Sequence, residues 1–195
     1  MAKSPKIELV LASASDRRLQ LLAQIGVRPE RVVATEIDEA LLPGERPRAF
    51  AQRLAREKVL VAAGAAGGAL VLAADTVVAC GQRTLAKAGS AAEARSHLER
   101  LSGRRHQVIT ALALVDADGR LRTRTALTRV TFKRLSADEI DRYIDSNEWR
   151  GKAGGYAIQG LAGAFVRQLN GSYSNVVGLP LYESAGLLRA AGYAL

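Results

Sequence analysis

The sequence predicts an α/β domain with a mixed central sheet, and three observations lead to this class. Short apolar runs typical of strands alternate with longer segments whose apolar residues recur at helical spacing. Two consecutive strand-like runs share an Asp-Gly turn, which predicts an antiparallel hairpin. No repeat and no low-complexity linker interrupts the chain, so residues 1–195 are expected to form a single domain.

The individual elements follow from local signals. Apolar runs bounded by turn residues predict strands at residues 7–12, 31–35, 70–80, 106–115, 121–132 and 164–169. Helical periodicity with start and stop residues predicts helices at roughly residues 13–25, 47–64, 90–101, 136–147 and 181–191. The helices from Ser90 and Ser136 each open with a Ser-x-x-Glu capping box.

Composition limits the partners of the chain. A net charge of +9 permits nucleic acid, acidic lipid or polyphosphate. The basic residues are dispersed and aromatics make up only 5%, so a nucleic-acid partner is not expected. No apolar stretch reaches the roughly 18 residues that span a bilayer, and the start lacks a signal-peptide core, so no membrane partner is expected. The lone Cys80, interpreted as a buried inert thiol, fits a cytoplasmic location.

Asp75 is the first candidate for chemistry. It interrupts the apolar run at residues 70–80, where its strand face would carry Val71, Ala73 and Val77. A carboxylate among such neighbours is costly unless it is paired, hydrogen-bonded or bound to metal. The alternative is a structural Asp near a strand end that accepts backbone hydrogen bonds. A functional role is favoured, because ionisable groups in apolar surroundings are typical of functional sites.

Residues 13–18 offer a phosphate cradle. Ser13, Arg17 and Arg18 place a hydroxyl and two guanidiniums beside a predicted helix start, where free amides attract anions. Serine at such a position is more often a simple cap, and Asp16 adds a negative charge that suits the helix dipole rather than an anion.

Further polar residues are ambiguous when taken singly. Lys58 shares the apolar face of its helix, and periodicity alone favours a snorkelling side chain. Lys87 reads as an exposed loop residue. Glu39 belongs to an acidic loop that suits either Mg²⁺ or solvent. In the glycine-rich segment 152–160, which contains Lys152, Gln159 offers a donor and an acceptor for a nucleobase edge, although the segment also reads as a turn-rich connection.

Several enzyme classes are excluded by missing patterns. His97, expected on a helix surface, and His106 are nine positions apart with no cysteine nearby, so a zinc site is not expected. The sequence has no G-x-S-x-G elbow, no P-loop and no G-x-G-x-x-G after a strand, which argues against serine hydrolases, ordinary ATPases and dinucleotide-binding enzymes.

Taken together, these segments resemble the Maf family. The resemblance rests on residues 11–18, 74–76, 101–103 with His106, 152–160 and 175–180, in the family's order and over nearly the whole chain. It implies an α/β fold with a cleft, shared with inosine triphosphate pyrophosphatases. It also implies hydrolysis of a nucleoside triphosphate between its α- and β-phosphates, a divalent metal cation (Mg²⁺ or Mn²⁺), and a homodimer.

The resemblance also implies roles for individual residues. Asp75 falls on the catalytic position and, with Glu39, at the metal. Positions tied to substrate choice are occupied by Arg17, Thr76 and Gln159, and further substrate contacts are expected from Ser13, Arg18, Lys58, Lys87 and Lys152.

The form Ile-Gln-Gly at residues 158–160 is similar to the branch that acts on dTTP and UTP. We therefore expect a dTTP/UTP pyrophosphatase that cleans nucleotide pools, with modified pyrimidine nucleotides as further substrates and a link to cell-division arrest. The alternatives are a 7-methyl-GTP pyrophosphatase and a non-catalytic septation regulator that senses nucleotides or binds nucleic acid. Asp16 replaces the family's usual proline, Ala86 and Ala88 flank Lys87 in place of glycine and proline, and Gly151 replaces aspartate.

Overall fold

A computed structural model describes residues 7–195 and shows a seven-stranded mixed sheet with helices on both faces. The strands are β1 (Leu9–Ala12), β2 (Arg31–Val33), β3 (Leu70–Cys80), β4 (Arg83–Leu85), β5 (Arg105–Val115), β6 (Leu121–Phe132) and β7 (Val166–Asn170). The α-helices are α1 (Asp16–Gln24), α2 (Pro47–Gly64), α3 (Ala91–Leu101), α4 (Ala137–Asp145), α5 (Tyr173–Val177) and α6 (Leu181–Ala190), and a 3₁₀-helix covers Leu161–Phe165. The predicted fold class is confirmed.

The sheet order is β2-β1-β3-β5-β6-β7, and β4 pairs with β3 beside this series. β1 runs parallel to β2 and β3, whereas β3, β5, β6 and β7 are joined by antiparallel pairs. The long β5–β6 hairpin, with its turn after Val115, was predicted from the sequence and is confirmed. β3 is therefore the strand at which the parallel and antiparallel parts of the sheet meet.

The side-chain alternation of β3 separates two apolar layers. Val71, Ala73 and Val77 pack against α2 on one face of the sheet. Leu70, Leu72 and Ala74 belong to the layer under α1 and α6 on the other face. Asp75 therefore lies on the α2 face, and the next residue, Thr76, lies on the opposite face.

One edge of β3 is interrupted in its middle. β5 pairs with residues 71–79 along one edge, so β1 and β4 must share the other edge. β1 pairs with residues 70–73 and β4 with residues 78–80. Residues 74–77 thus have no neighbouring strand on that side within the part of the chain that the structure describes. Asp75 and Thr76 lie in this gap, and both are reached from it although they point to opposite faces.

Local interactions correct some details of the predicted elements. Ser136 and Glu139 form the full capping box, but at α3 only half of it is present. Ser90 accepts the N–H of Glu93, while the Glu93 carboxylate accepts the N–H of Gly89 instead of that of Ser90. β4 and α5 were not predicted, because a three-residue strand and a five-residue helix carry no periodic signal of their own.

Two side chains are buried differently from the sequence-based expectation. His97 was expected on a helix surface, but it is buried on the face of α3 that packs against the sheet. Cys80 was interpreted as buried and is only half-buried. Within residues 7–195, no helix combines the length and the apolar character that a membrane span requires.

The burial of His106 leads us to expect that the free energy of unfolding depends on pH. It is 1% exposed, its Nε2 lies 2.8 Å from the Tyr156 hydroxyl, and burial lowers its pKa to about 4. The unfolded chain, with a histidine pKa near 6.5, binds the proton first as pH falls, so the folded state loses stability between about pH 6.5 and pH 4. We expect this residue to account for up to about 3 kcal/mol of the loss.

Urea denaturation at pH 7 and pH 4 checks this expectation. His106→Gln keeps hydrogen-bonding groups but does not titrate, so its free energy of unfolding should fall less over this interval than that of the wild type. Equal decreases in the two proteins would show that His106 does not contribute to the acid dependence.

Candidate active site

A cavity of about 500 Å³ opens at the gap in β3. Its walls come from the start of α1, the loop after β2, Lys58 of α2, the strands β3 and β5 around the gap, and the segments 150–153 and 176–178. Six cationic and three anionic side chains line it: Arg17, Arg18, Lys58, Lys87, Arg150 and Lys152 against Asp16, Glu39 and Asp75. The surplus of positive charge suits an anionic ligand.

The start of α1 supplies the predicted anion-binding wall. Ser15 occupies the N-cap position, but its side chain does not cap the helix. Ser13 Oγ instead accepts hydrogen bonds from Ser15 N at 3.2 Å and from Arg18 Nη1 at 3.0 Å. The first three residues of the helix, Asp16, Arg17 and Arg18, line the cavity and no side chain caps their turn, which leaves this end of the helix available to an anion. Asp16 also lines the cavity, so its carboxylate lowers the positive charge at this wall.

A chain of ion pairs connects α2, β3 and the loop after β2. Lys58 Nζ lies 2.6 Å from Asp75 Oδ1 and 2.6 Å from Glu39 Oε1. Lys87 Nζ lies 2.6 Å from the other Glu39 oxygen, Oε2. The Lys58 and Asp75 side chains are only 9% and 8% exposed, so this pair is deeply buried. Lys58 is thus a buried partner of the carboxylates, contrary to the snorkelling side chain that periodicity favoured.

Glu39 is ionised at any ordinary assay pH. Partial burial raises its pKa, but hydrogen bonds and charges from Lys58 and Lys87 outweigh that effect and lower the pKa to about 2. The structure therefore presents two close carboxylates held by an ammonium group between them. Since each carboxylate oxygen is 2.6 Å from Lys58 Nζ, the two oxygens are at most 5.2 Å apart, twice that distance.

Arg18 is a half-buried guanidinium whose hydrogen-bond acceptors in the protein are all neutral. Its Nε donates to the Gly178 carbonyl at 2.9 Å, and its Nη2 lies 3.4 Å from Thr76 Oγ1. Burial lowers the pKa of Arg18, with Asp75 acting in the opposite direction. A half-buried cation whose direct partners are uncharged attracts an anionic or carbonyl oxygen from a ligand.

Arg17 and Lys152 form a second cationic wall. Burial lowers the pKa of both groups, and the charge of Arg17 lowers that of Lys152 further. Lys152 Nζ donates to the Arg150 carbonyl at 3.0 Å, which keeps the ammonium at the rim of the cavity. Mutual repulsion of this kind is relieved when an anion binds between the cations.

The structure brings together most of the residues that the sequence singled out. Nine of them line the cavity: Ser13, Arg17, Arg18, Glu39, Lys58, Asp75, Thr76, Lys87 and Lys152. Gln159 does not: its side chain is exposed, and the residue is outside the set that lines the cavity. Its role in reading the base stays a prediction, without support from a contact in the structure.

Sequence reasoning missed some of the lining residues. Arg150, Tyr156 and Gly178 also line the cavity. Tyr156 and Gly178 lie within residues 152–160 and 175–180, two of the segments that carry the family resemblance. Membership of these segments was the signal that could have identified them. Arg150 gave none, because a charged residue in a turn is normally solvated.

The donor set fits a divalent cation that a ligand helps to hold. The structure reveals no cluster of three or more His, Cys, Asp or Glu residues among residues 7–195 that would hold a metal. Three carboxylates line the cavity, and of these Asp75 and Glu39 lie close together because both contact Lys58, whereas Asp16 belongs to the start of α1. Mg²⁺ commonly uses one or two carboxylates and completes its shell with water and substrate phosphates. These two residues meet that requirement.

Comparison with known proteins gives a consistent picture over almost the whole chain. A family model described as Maf-like protein matches residues 8–191. A protein of Novosphingobium aromaticivorans, named dTTP/UTP pyrophosphatase, is 58% identical over 98% of this chain and 94% of its own length. A protein of Caulobacter vibrioides with the same name is 57% identical over 99% of both chains.

Solved structures show a more distant similarity. A nucleoside-triphosphatase, dITP/XTP pyrophosphatase, from Mycobacterium abscessus has a TM-score of 0.40 and 19% identity, covering 67% of this chain and 75% of its own. The Ham1 protein of Staphylococcus aureus has a TM-score of 0.46 and 19% identity, covering 64% and 71%.

Proposed function

The chain belongs to the Maf-like protein family, and from that premise we propose that it hydrolyses dTTP and UTP to the nucleoside monophosphate and pyrophosphate. The single observation that carries the proposal is the cavity at the gap in β3. It combines a buried carboxylate at Asp75 with cationic walls suited to a triphosphate. The names of the relatives supply the choice of nucleotide.

In this proposal the cations hold the triphosphate and Asp75 acts on water. Arg17, Lys87 and Lys152 neutralise phosphate oxygens, which is the main electrostatic contribution to phosphoryl transfer. Lys58 holds Asp75 Oδ1, and the other carboxylate oxygen makes no hydrogen bond to the described residues. We assign to that oxygen the acceptance of a proton from a water molecule.

The proposed reaction is a single displacement at the α-phosphorus. The water oxygen bonds to this phosphorus while its proton passes to Asp75, and the bond from phosphorus to the oxygen bridging to the β-phosphate breaks. Pyrophosphate leaves with the electron pair of that bond. Asp75 then returns the proton to solvent, which regenerates the carboxylate.

We further propose that Asp75 and Glu39 hold a divalent cation, Mg²⁺ or Mn²⁺. When bound, such a cation supplies positive charge to the phosphate oxygens as negative charge shifts toward the leaving group. Action on modified pyrimidine nucleotides, a homodimer, a cytoplasmic location and a role in cleaning nucleotide pools with a link to cell-division arrest are also proposals, and they rest on the family resemblance.

A nucleotide screen tests the proposed function. With Mg²⁺ or Mn²⁺ present, we expect UTP and dTTP to give the monophosphate and pyrophosphate with higher kcat/KM than CTP or 7-methyl-GTP. Removing the metal with a chelator should abolish turnover.

Four results would contradict the proposal in different ways. Stoichiometric orthophosphate would show cleavage at the wrong bond, and a preference for 7-methyl-GTP would favour the purine alternative. Tight nucleotide binding without turnover would favour a sensor. For the regulator that binds nucleic acid, the signature would be sub-micromolar DNA affinity that falls steeply as salt rises.

A further inference from the structure

The hydroxyl of Thr76 is oriented by a residue outside the cavity. Thr76 on β3 lies directly opposite Thr110 on β5 in the antiparallel register, and their Oγ1 atoms are 2.9 Å apart. Thr110 is fully buried, whereas Thr76 lines the cavity. Each hydroxyl has a single proton to donate, so the next partner of Thr110 decides which way this hydrogen bond runs.

That partner is a main-chain carbonyl, which can only accept. Thr110 Oγ1 lies 3.1 Å from the oxygen of Asn175 in α5. The N–H groups that follow this helix, those of Gly178 and Leu179, both bond to the Ser174 oxygen. The buried Asn175 carbonyl therefore depends on the Thr110 proton, because an unmade hydrogen bond at a buried carbonyl is costly.

With its own proton given to Asn175, Thr110 must accept from Thr76. The other acceptor within reach of Thr76 is the Gly178 oxygen at 3.5 Å, which also belongs to the protein. In both cases the Thr76 proton points into the protein. One lone pair of Thr76 already accepts from Arg18 Nη2 at 3.4 Å, and only the other remains for the cavity, so a ligand atom that bonds to Thr76 must be a donor.

We propose that Thr110 is a positioning residue for substrate choice, because it holds Thr76 as an acceptor that matches the imide N–H of uracil and thymine. Cytosine carries no proton on the corresponding ring nitrogen. That nitrogen is an acceptor and would face the Thr76 oxygen, which is also an acceptor. A phosphate oxygen is also an acceptor and is mismatched in the same way. This inference rests on the proposed function, since it concerns the base of that substrate.

Arg18 completes a two-point pattern beside Thr76. Three of its five N–H groups are directed to Gly178, Ser13 and Thr76, which leaves two for a ligand. A donor from Arg18 next to the acceptor of Thr76 matches the adjacent carbonyl and N–H of an imide. Cytosine offers no such pair, because its ring nitrogen accepts.

The experiment compares kcat/KM for UTP and CTP in the wild type and in Thr110→Val. Valine keeps the shape but removes the acceptor 2.9 Å away. The Gly178 oxygen at 3.5 Å is too distant to hold the hydroxyl by itself, so the Thr76 hydroxyl can turn and donate to cytosine. We expect the preference for UTP over CTP to fall about tenfold, the effect of one correctly directed hydrogen bond. KM should carry the change, rising for UTP and falling for CTP. Thr110→Ser keeps the hydroxyl and should restore the preference.

Thr128→Val is the matched control. Thr128 is also fully buried, and its Oγ1 bonds to the Asn175 side chain and to the Ser172 carbonyl, but it makes no contact with Thr76. The control should lose stability, as Thr110→Val does, and keep the wild-type preference. An equal change of preference in both variants would mean that general loosening of the fold, and not hydroxyl direction, sets the ratio.

Further outcomes separate this inference from the proposed function. If the wild type prefers UTP to CTP and Thr110→Val keeps the same ratio, the inference falls and the proposed function stands. A wild type that does not prefer UTP to CTP overturns both. Should Thr110→Val fail to fold, Thr110→Cys replaces it, because a thiol is a weak hydrogen-bonding group, and an unchanged ratio in that variant overturns the inference.

Discussion

Asp75→Asn is expected to lower kcat at least about a hundredfold while leaving the protein folded. The amide keeps the size of the side chain, and its oxygen can still accept from Lys58, which lies 2.6 Å from Asp75 Oδ1. What is lost is the negative charge and the ability to take a proton from water. Two steps of 1.36 kcal/mol in the barrier correspond to a hundredfold in rate, a modest loss for a group that acts on the reacting water.

Asp38→Asn is the control for this prediction. Asp38 is exposed on the loop that carries Glu39, and its carboxylate accepts the Ala40 N–H at 2.8 Å without lining the cavity. Steady-state kinetics with UTP should show nearly wild-type turnover for this variant. If Asp75→Asn keeps more than about a tenth of the wild-type kcat, less than one such step has been lost and Asp75 is not the catalytic group.

Lys58→Met is expected to reduce the free energy of unfolding by about 3 kcal/mol or more, and to remove activity. Methionine replaces the apolar stem of lysine but leaves the Asp75 carboxylate without the cation 2.6 Å away. Breaking a buried pair is costly because the remaining charge stays desolvated. Glu39 contributes less to this loss, since its side chain is 37% exposed and solvent screens it.

Lys87→Met separates burial from simple loss of a cation. Lys87 also contacts Glu39 at 2.6 Å, but its side chain is 53% exposed. Urea denaturation should therefore place this variant within about 0.5 kcal/mol of the wild type. If both lysine variants prove equally stable, the buried position of Lys58 has no energetic weight, and its role is limited to ligand binding.

The fold was largely predictable because most of its helices and strands have local sequence signals. α2 and β3 were predicted with the bounds that the structure shows, since proline opens the helix and a dense apolar run forms the strand. β4 was missed because its three residues form a strand only by pairing with the end of β3. The burial of His97 depends on which helix face meets the sheet, and helical spacing alone did not settle that.

The site was predictable in its composition and less so in its connections. Asp75 could be identified because a carboxylate within an apolar run is costly unless it is paired, hydrogen-bonded or bound to metal. The place of Lys58 between two carboxylates follows from the docking of α2 on the sheet and from the loop that brings Glu39, neither of which spacing encodes. Thr110 carried no signal at all, because its link to Thr76 exists only through the register of two strands.

The interruption along β3 also limits what kind of molecule this protein can bind through its main chain. The unpaired N–H and C=O groups of a sheet edge can pair with a strand from another chain, and long exposed edges lead to aggregation. Counting the described strands, the unpaired edge spans four residues, 74–77, or about 13 Å, and β1 and β4 bound it at either end. A strand of five or six residues, the usual length, does not fit between them. The gap thus admits a small molecule to Asp75 and Thr76, which line the cavity, and it is too short to pair with a strand of another polypeptide.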